Sequence, residues 1–174
     1  MYKRFVFVLL VLGFCFGLYA QEEKVNRFSW SMGYNFSPST NGIAASTDFG
    51  FLIFHNEELD IRNQLGLNSL TLNDNDDLTN TAYTFTEKFS FGKITANKLF
   101  RYYSFLEGGI GIYSNDSKKL FETPIAYNFG LGIGLDIFVE KNFSFFFEWG
   151  FLEHILDKQD IFDPRFQMGI RLFF

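Results

Sequence analysis

The chain has 174 residues, a hydrophobic fraction of 47%, a charged fraction of 20% and a formal net charge of −5. That length suits one domain, the composition excludes a disordered or fibrous chain, and the acidity removes the positive footprint that nucleic acid requires. Phenylalanine is the outlier: 26 Phe, with eight Tyr and two Trp, bring the aromatic share to 21%, and such residues favour strands.

Residues 1–20 read as a secretory signal peptide. Lys3 and Arg4 form a positive start, residues 5–18 are uninterruptedly apolar, and Ala20 offers a small residue at the cut before Gln21. The apolar stretch is short for a permanent membrane helix, and its positive residues lie only on the N-terminal side. Cys15 follows Phe14, where a lipobox wants a small residue, so lipidation is not expected. The remaining segment, residues 21–174, reads as one domain with 13 basic and 20 acidic residues, a net charge of −7, and no cysteine for a disulfide or thiolate metal site. No stretch in it approaches a membrane helix in length, so entry into a bilayer requires strands.

Period-two alternation then runs eight times along the chain. Residues 27–36 set Phe28, Trp30, Met32, Tyr34 and Phe36 against Ser29, Ser31, Gly33 and Asn35. Residues 43–55 set Phe49, Phe51 and Ile53 against Ser46, Asp48 and Gly50. Residues 59–72 set Leu59, Ile61, Leu65 and Leu67 against Asp60, Arg62, Gln64, Gly66 and Asn68. In residues 82–95, Tyr83, Phe85, Phe89 and Phe91 oppose Thr84, Thr86, Lys88, Ser90 and Gly92. Residues 100–113 are less regular, with Leu106, Gly108, Ile110 and Ile112 against Glu107, Gly109 and Gly111.

The sixth segment, 126–139, is the clearest: Phe129, Leu131, Ile133, Leu135, Ile137 and Val139 alternate with Asn128, Gly130, Gly132, Gly134 and Asp136. Residues 143–153 set Phe143, Phe145, Phe147, Trp149 and Phe151 against Ser144, Glu148 and Gly150. Residues 165–174 set Phe166, Met168, Ile170, Leu172 and Phe174 against Arg165, Gln167, Gly169 and Arg171.

Connections alternate in length. Residues 55–58, 96–99 and 140–142 are short, while 37–42, 73–81, 114–124 and 156–164 are longer and polar. Short turns on one side and long loops on the other are the habit of outer-membrane barrels, and an even strand count puts both termini in the periplasm. A soluble eight-stranded barrel would turn its apolar face inward. Bulk decides between the two. Glycine, serine and asparagine fill a narrow interior, whereas five large aromatics per strand would overfill it and instead suit lipid.

Residues 129–151, with a glycine-alternating strand, a tight polar turn and an aromatic strand bearing an inward Glu, resemble the penultimate hairpin of the OmpA/OmpX-like outer-membrane β-barrel family. Residues 166–174 look like that family's closing strand. The resemblance covers the whole of 21–174 in pattern and is specific over roughly the last 50 residues. It implies that the barrel-assembly machinery reads Phe166, Met168, Ile170, Leu172 and Phe174 as an insertion signal, with Phe174 as the key residue. A peptidoglycan-binding domain like that of the family's larger members is not expected here, which puts an anchoring role borrowed from them in doubt.

Eight charges are assigned to the inner face: Asp48, Asp60, Arg62, Lys88, Glu107, Asp136, Glu148 and Arg171. Charges of both signs in a narrow lumen should pair and plug it, or, in a sharper reading, swap partners to gate a small pore. Catalysis would need a histidine beside a serine or carboxylate. His55 sits at a predicted turn, and His154 follows Glu153 at the loop rim with no His-x-Ser arrangement nearby. The acidic runs at 73–77 and at Asp157, Asp160 and Asp163 lack the glycine and distal Glu of a calcium loop and read as solvated. Asn63 and Glu87 fall awkwardly on apolar faces of neighbouring strands. A bulge shifting the register is the preferred explanation, and a contact seam between protomers is the other.

The sequence therefore predicts an all-β protein: a single closed antiparallel eight-stranded transmembrane β-barrel in the bacterial outer membrane, after a signal peptide. The expected role is structural or surface interaction through the outer loops, with no catalysis, cofactor or metal. The partners expected are outer-membrane lipid, the assembly machinery and a surface ligand of unknown identity. A narrow ion-conducting pore is the alternative, and a lipid-modifying enzyme the third reading.

Overall fold

The computed structural model describes residues 26–37, 42–73, 79–114, 125–155 and 160–174. The predicted signal peptide, most of the acidic run at 73–77, Asp157 and the centres of the long connections lie outside these described residues. Eight strands form: β1 (Phe28–Ser37), β2 (Gly42–His55), β3 (Asp60–Asn73), β4 (Thr79–Ile94), β5 (Phe100–Ser114), β6 (Ile125–Glu140), β7 (Phe143–Ile155) and β8 (Asp160–Phe173). Each pairs antiparallel with its sequence neighbours, and β8 closes on β1. No described helix is long and apolar enough to cross a membrane. Closure is what permits strands to cross instead, because along the stretch where β8 meets β1 each strand pairs on both sides and its backbone N–H and C=O groups find partners.

The alternation sorts inside from outside as the bulk argument requires. Phe28, Phe49, Tyr83, Leu106, Leu131 and Trp149 are 56–62% exposed on the outer surface. Serines, glycines and ionised groups turn inward. The wall is therefore transmembrane, with its rings toward acyl chains.

Three short turns gather at one end. Asn56 Oδ1 accepts from Glu58 N at 2.9 Å and Leu59 N at 2.7 Å. At the second turn Thr95 N donates to Phe100 O, Asn97 Oδ1 accepts from Leu99 N at 3.1 Å, and Lys98 takes the left-handed conformation (φ 58°) that closes the turn. Phe28 and Phe174 exchange backbone hydrogen bonds at the same end.

Two expectations are corrected. The eighth strand begins at Asp160 rather than 165, so Asp163 and Pro164 lie in β8 and not in a loop. Those residues read as strand breakers, yet this stretch pairs with β7 alone; β1 joins only at Phe36↔Phe166. A free edge tolerates proline's missing N–H. The second correction concerns Asn63 and Glu87. The β3–β4 register is unbroken from Asp60↔Gly92 to Asn73↔Thr79, so no bulge displaces them. The bulge between Leu52 and Phe54 lies nearer the turn and leaves Phe51↔Asn63 in place. Both residues belong to the outward face.

Candidate functional site

The lumen is the chemically dense part of the molecule. All eight inner charges predicted from the sequence are buried there, none more than 6% exposed. Arg165, on the polar face of the eighth segment, joins them at 8%, and the structure adds Arg101 at 0%. Among the described residues this makes five acids (Asp48, Asp60, Glu107, Asp136, Glu148) and five bases (Arg62, Lys88, Arg101, Arg165, Arg171), a formal sum of zero. Neutrality in a narrow, low-dielectric space follows from the expense of any unpaired charge.

A continuous chain of contacts links six strands. Asp60 on β3 accepts from Arg62 Nε at 3.0 Å and from Arg101 Nε on β5 at 2.5 Å. Arg101 Nη1 reaches Asp136 Oδ2 on β6 at 3.3 Å, and its Nη2 donates to Ser90 Oγ at 2.8 Å. Arg171 Nη1 on β8 donates to both Asp136 oxygens, at 2.7 and 2.9 Å, and its Nη2 lies 3.4 Å from Glu148 Oε1 on β7. Glu148 also accepts from Tyr103 Oη at 2.8 Å and from Lys88 Nζ on β4 at 2.6 Å. A second staple nearer the long-loop end joins Arg165 on β8 to Glu107 on β5.

Aromatic rings support the cations. Arg101 lies over Tyr103 at 4.4 Å, Arg171 over Phe146 at 4.7 Å, and Lys88 over Phe105 at 4.9 Å. Such placements add attraction where water is excluded. Asp48 differs from the others: its described hydrogen bond comes from Ser31 Oγ at 3.1 Å.

Alternation reveals which strand positions face inward, but three contributors escaped it. Arg101 and Tyr103 begin β5, where the run Phe100-Arg101-Tyr102-Tyr103 carries aromatics on both faces and hides the period. Phe146 is wholly buried on the inward row between Ser144 and Glu148, where the outward Phe145 and Phe147 on either side mask its parity. Extending the inward parity back from Glu107 would have found Arg101.

The two histidines lie at opposite ends of the wall. His55 is at the short-turn end, its Nδ1 3.4 Å from Asp60 Oδ2. His154 is on β7 opposite Asn128 near the long-loop end, with its side chain outside the described residues. Among the described residues no three His, Cys, Asp or Glu side chains converge on a metal position. The predicted assembly-signal residues Phe166, Met168, Ile170 and Phe174 are all exposed on the outer face, and Leu172 is half-buried there.

An apolar, aromatic exterior around an ion-paired interior of eight strands defines a small transmembrane β-barrel, the fold that the resemblance to OmpA/OmpX-like barrels implied. Among solved structures, the chain is similar to the N-terminal β-barrel domain of Pseudomonas aeruginosa OprF. The identity is 12%, coverage is 86% of this chain and 98% of that one, and the TM-score is 0.55. It is likewise similar to Neisserial surface protein A (12% identity, 85% and 95% coverage, TM-score 0.61). The outer membrane enzyme PagL shares 8% identity over 83% and 98% of the two chains, with a TM-score of 0.60. Identities this low speak to the fold. No protein-family model matches the sequence, and no curated protein matches it.

Proposed function

We propose that the protein is a non-catalytic scaffold of the bacterial outer membrane that presents its long loops at the cell surface for contact with host, matrix or neighbouring surface components. Both termini and the three short turns then face the periplasm. The observation that carries this reading is the ion-pair chain across six strands. A lumen stitched shut leaves rigid support for whatever the strand ends carry, and loops on a rigid support are where binding concentrates. The β3–β4 and β7–β8 ladders continue to Asn73↔Thr79 and Ile155↔Asp160, which stiffens the bases of two of those loops.

Protease added to intact cells should cut within residues 74–78 or 115–124 while the strands stay protected. Replacing both segments with short Gly-Ser turns should abolish attachment of cells to the surfaces they otherwise bind. Lipid A mass spectra should be identical with the unaltered protein and with His154→Ala. Loops that resist protease until the outer membrane is permeabilised would overturn the orientation, and a His154-dependent change in lipid A mass would overturn the non-catalytic role.

A further inference from the structure

The outer wall of β3, β4 and β5 carries a polar notch that neither the fold nor the lumen uses. Glu87 is half-buried in the outward row of β4, between Phe85 and Phe89, and stands opposite Leu65 on β3 and Gly108 on β5. The same row runs from Tyr83 to Lys93, so Glu87 lies near mid-height in the membrane-spanning part. Asn63 Nδ2 donates to Glu87 Oε1 at 2.7 Å. Asn63 itself is fully covered, and its Oδ1 has no hydrogen-bond partner among the described residues. Acyl chains offer nothing to a carboxyl group at this depth, and an ionisable residue there marks a contact or a pathway.

The surface beside Glu87 is also recessed. A Cβ added at Gly108 would meet nothing nearer than 3.8 Å, whereas one at the inward Gly134 would run into the Tyr103 ring. Further along the same outward row of β5, Ser104 lines a groove of about 920 Å³ with Phe91, Tyr102, Ile133 and Trp149. Small residues on a lipid-facing surface let two protein walls approach closely, which is how membrane segments associate when lipid is as apolar as the side chains.

We propose that this wall is a homodimer contact in the plane of the membrane, with β4 and β5 of one copy against β4 and β5 of a second around a two-fold axis along the membrane normal. Such an axis brings identical residues together at identical depth. Glu87 suits that meeting. A neutral carboxylic acid carries one O–H donor and one carbonyl acceptor, so two of them satisfy each other reciprocally in an apolar medium. Asn63 holds the carboxyl from behind through Oε1, and the Gly108 recesses admit the facing side chains. The outward neighbours Phe51, Leu65, Phe85, Phe89, Leu106 and Phe129 include no cation that would satisfy Glu87 within one copy. A second copy supplies the missing donor.

Full-length protein reconstituted in vesicles, with Leu106→Cys as an outward reporter beside the notch, should give a covalent product of twice the chain mass with a short bis-maleimide. Ile170→Cys on β8, across the barrel, should give several-fold less. Equal yields from the two positions would overturn the contact, as would a product whose mass reveals a different protein. In the Leu106→Cys background, Glu87→Leu should lower dimer yield roughly tenfold, the equivalent of about 1.4 kcal/mol. Glu87→Gln should retain it, because an amide is also self-complementary. Dimer yield untouched by Glu87→Leu would overturn the role of the carboxyl, and if that variant fails to insert, the comparison of the two cysteine positions still decides.

Discussion

Lys88 on β4 and Glu148 on β7 meet at 2.6 Å across the lumen, sixty residues apart in sequence. Glu148 also receives the Tyr103 hydroxyl and faces Arg171, so one carboxylate serves three donors. Truncating it strips buried Lys88 of the carboxylate it pairs with. Glu148→Ala should destabilise the barrel by about 3–5 kcal/mol. Lys88→Met combined with Glu148→Met should cost clearly less than the two single changes added together. Urea unfolding in lipid vesicles measures both. Strict additivity would mean the pair is not coupled.

The same cross-lumen pairs bear on conduction. With Lys88–Glu148 and Arg165–Glu107 spanning the interior, the unaltered protein in planar bilayers should show no steady unitary current. Removing both members of the first pair, with Lys88→Ala and Glu148→Ala together, should produce measurable openings. A steady current in the unaltered protein that disappears in Arg62→Ala or Glu148→Ala would instead identify a narrow pore.

Glycines on the two faces of the wall should behave oppositely. Gly134 lies under the Tyr103 ring, and a larger residue there would push aside the hydroxyl that donates to Glu148. Gly134→Leu should destabilise by about 1–3 kcal/mol, the usual range for overpacking. A Cβ at Gly108 would make only ordinary contact, at 3.8 Å from Phe129 and Asn128, so Gly108→Leu should leave unfolding stability nearly unchanged while abolishing the lateral dimer. Unfolding curves of the two variants, side by side, provide the check.

Which face meets lipid can be read from a single charge. Leu131 is 58% exposed near the middle of β6. Leu131→Arg should destabilise the barrel in vesicles by about 2–4 kcal/mol, as expected for a cation at the bilayer midplane. A soluble barrel would accept the same substitution on its exterior almost without effect.

Period-two alternation by itself determined the number of strands, their order around the barrel and the face that most strand residues occupy. Those properties are local: a side chain's parity along a strand is set by its own position, and short turns between neighbours leave antiparallel pairing as the natural outcome. Hence the inward placement of Asp48, Asp60, Lys88, Glu107 and Glu148 was legible before any coordinates. Only the tertiary structure decided which charge meets which. Asp136 on β6 and Arg171 on β8 are 35 residues apart, and their partnership depends on strand tilt, stagger and closure. Runs with aromatics on both faces, such as 100–103 and 145–147, concealed Arg101 and Phe146, because inward and outward positions there carry the same kind of residue. For Asn63 and Glu87 the sequence named the right face and then distrusted it. The unbroken ladder settled the matter, since hydrogen-bond register is a property of two strands together and cannot be read from either alone.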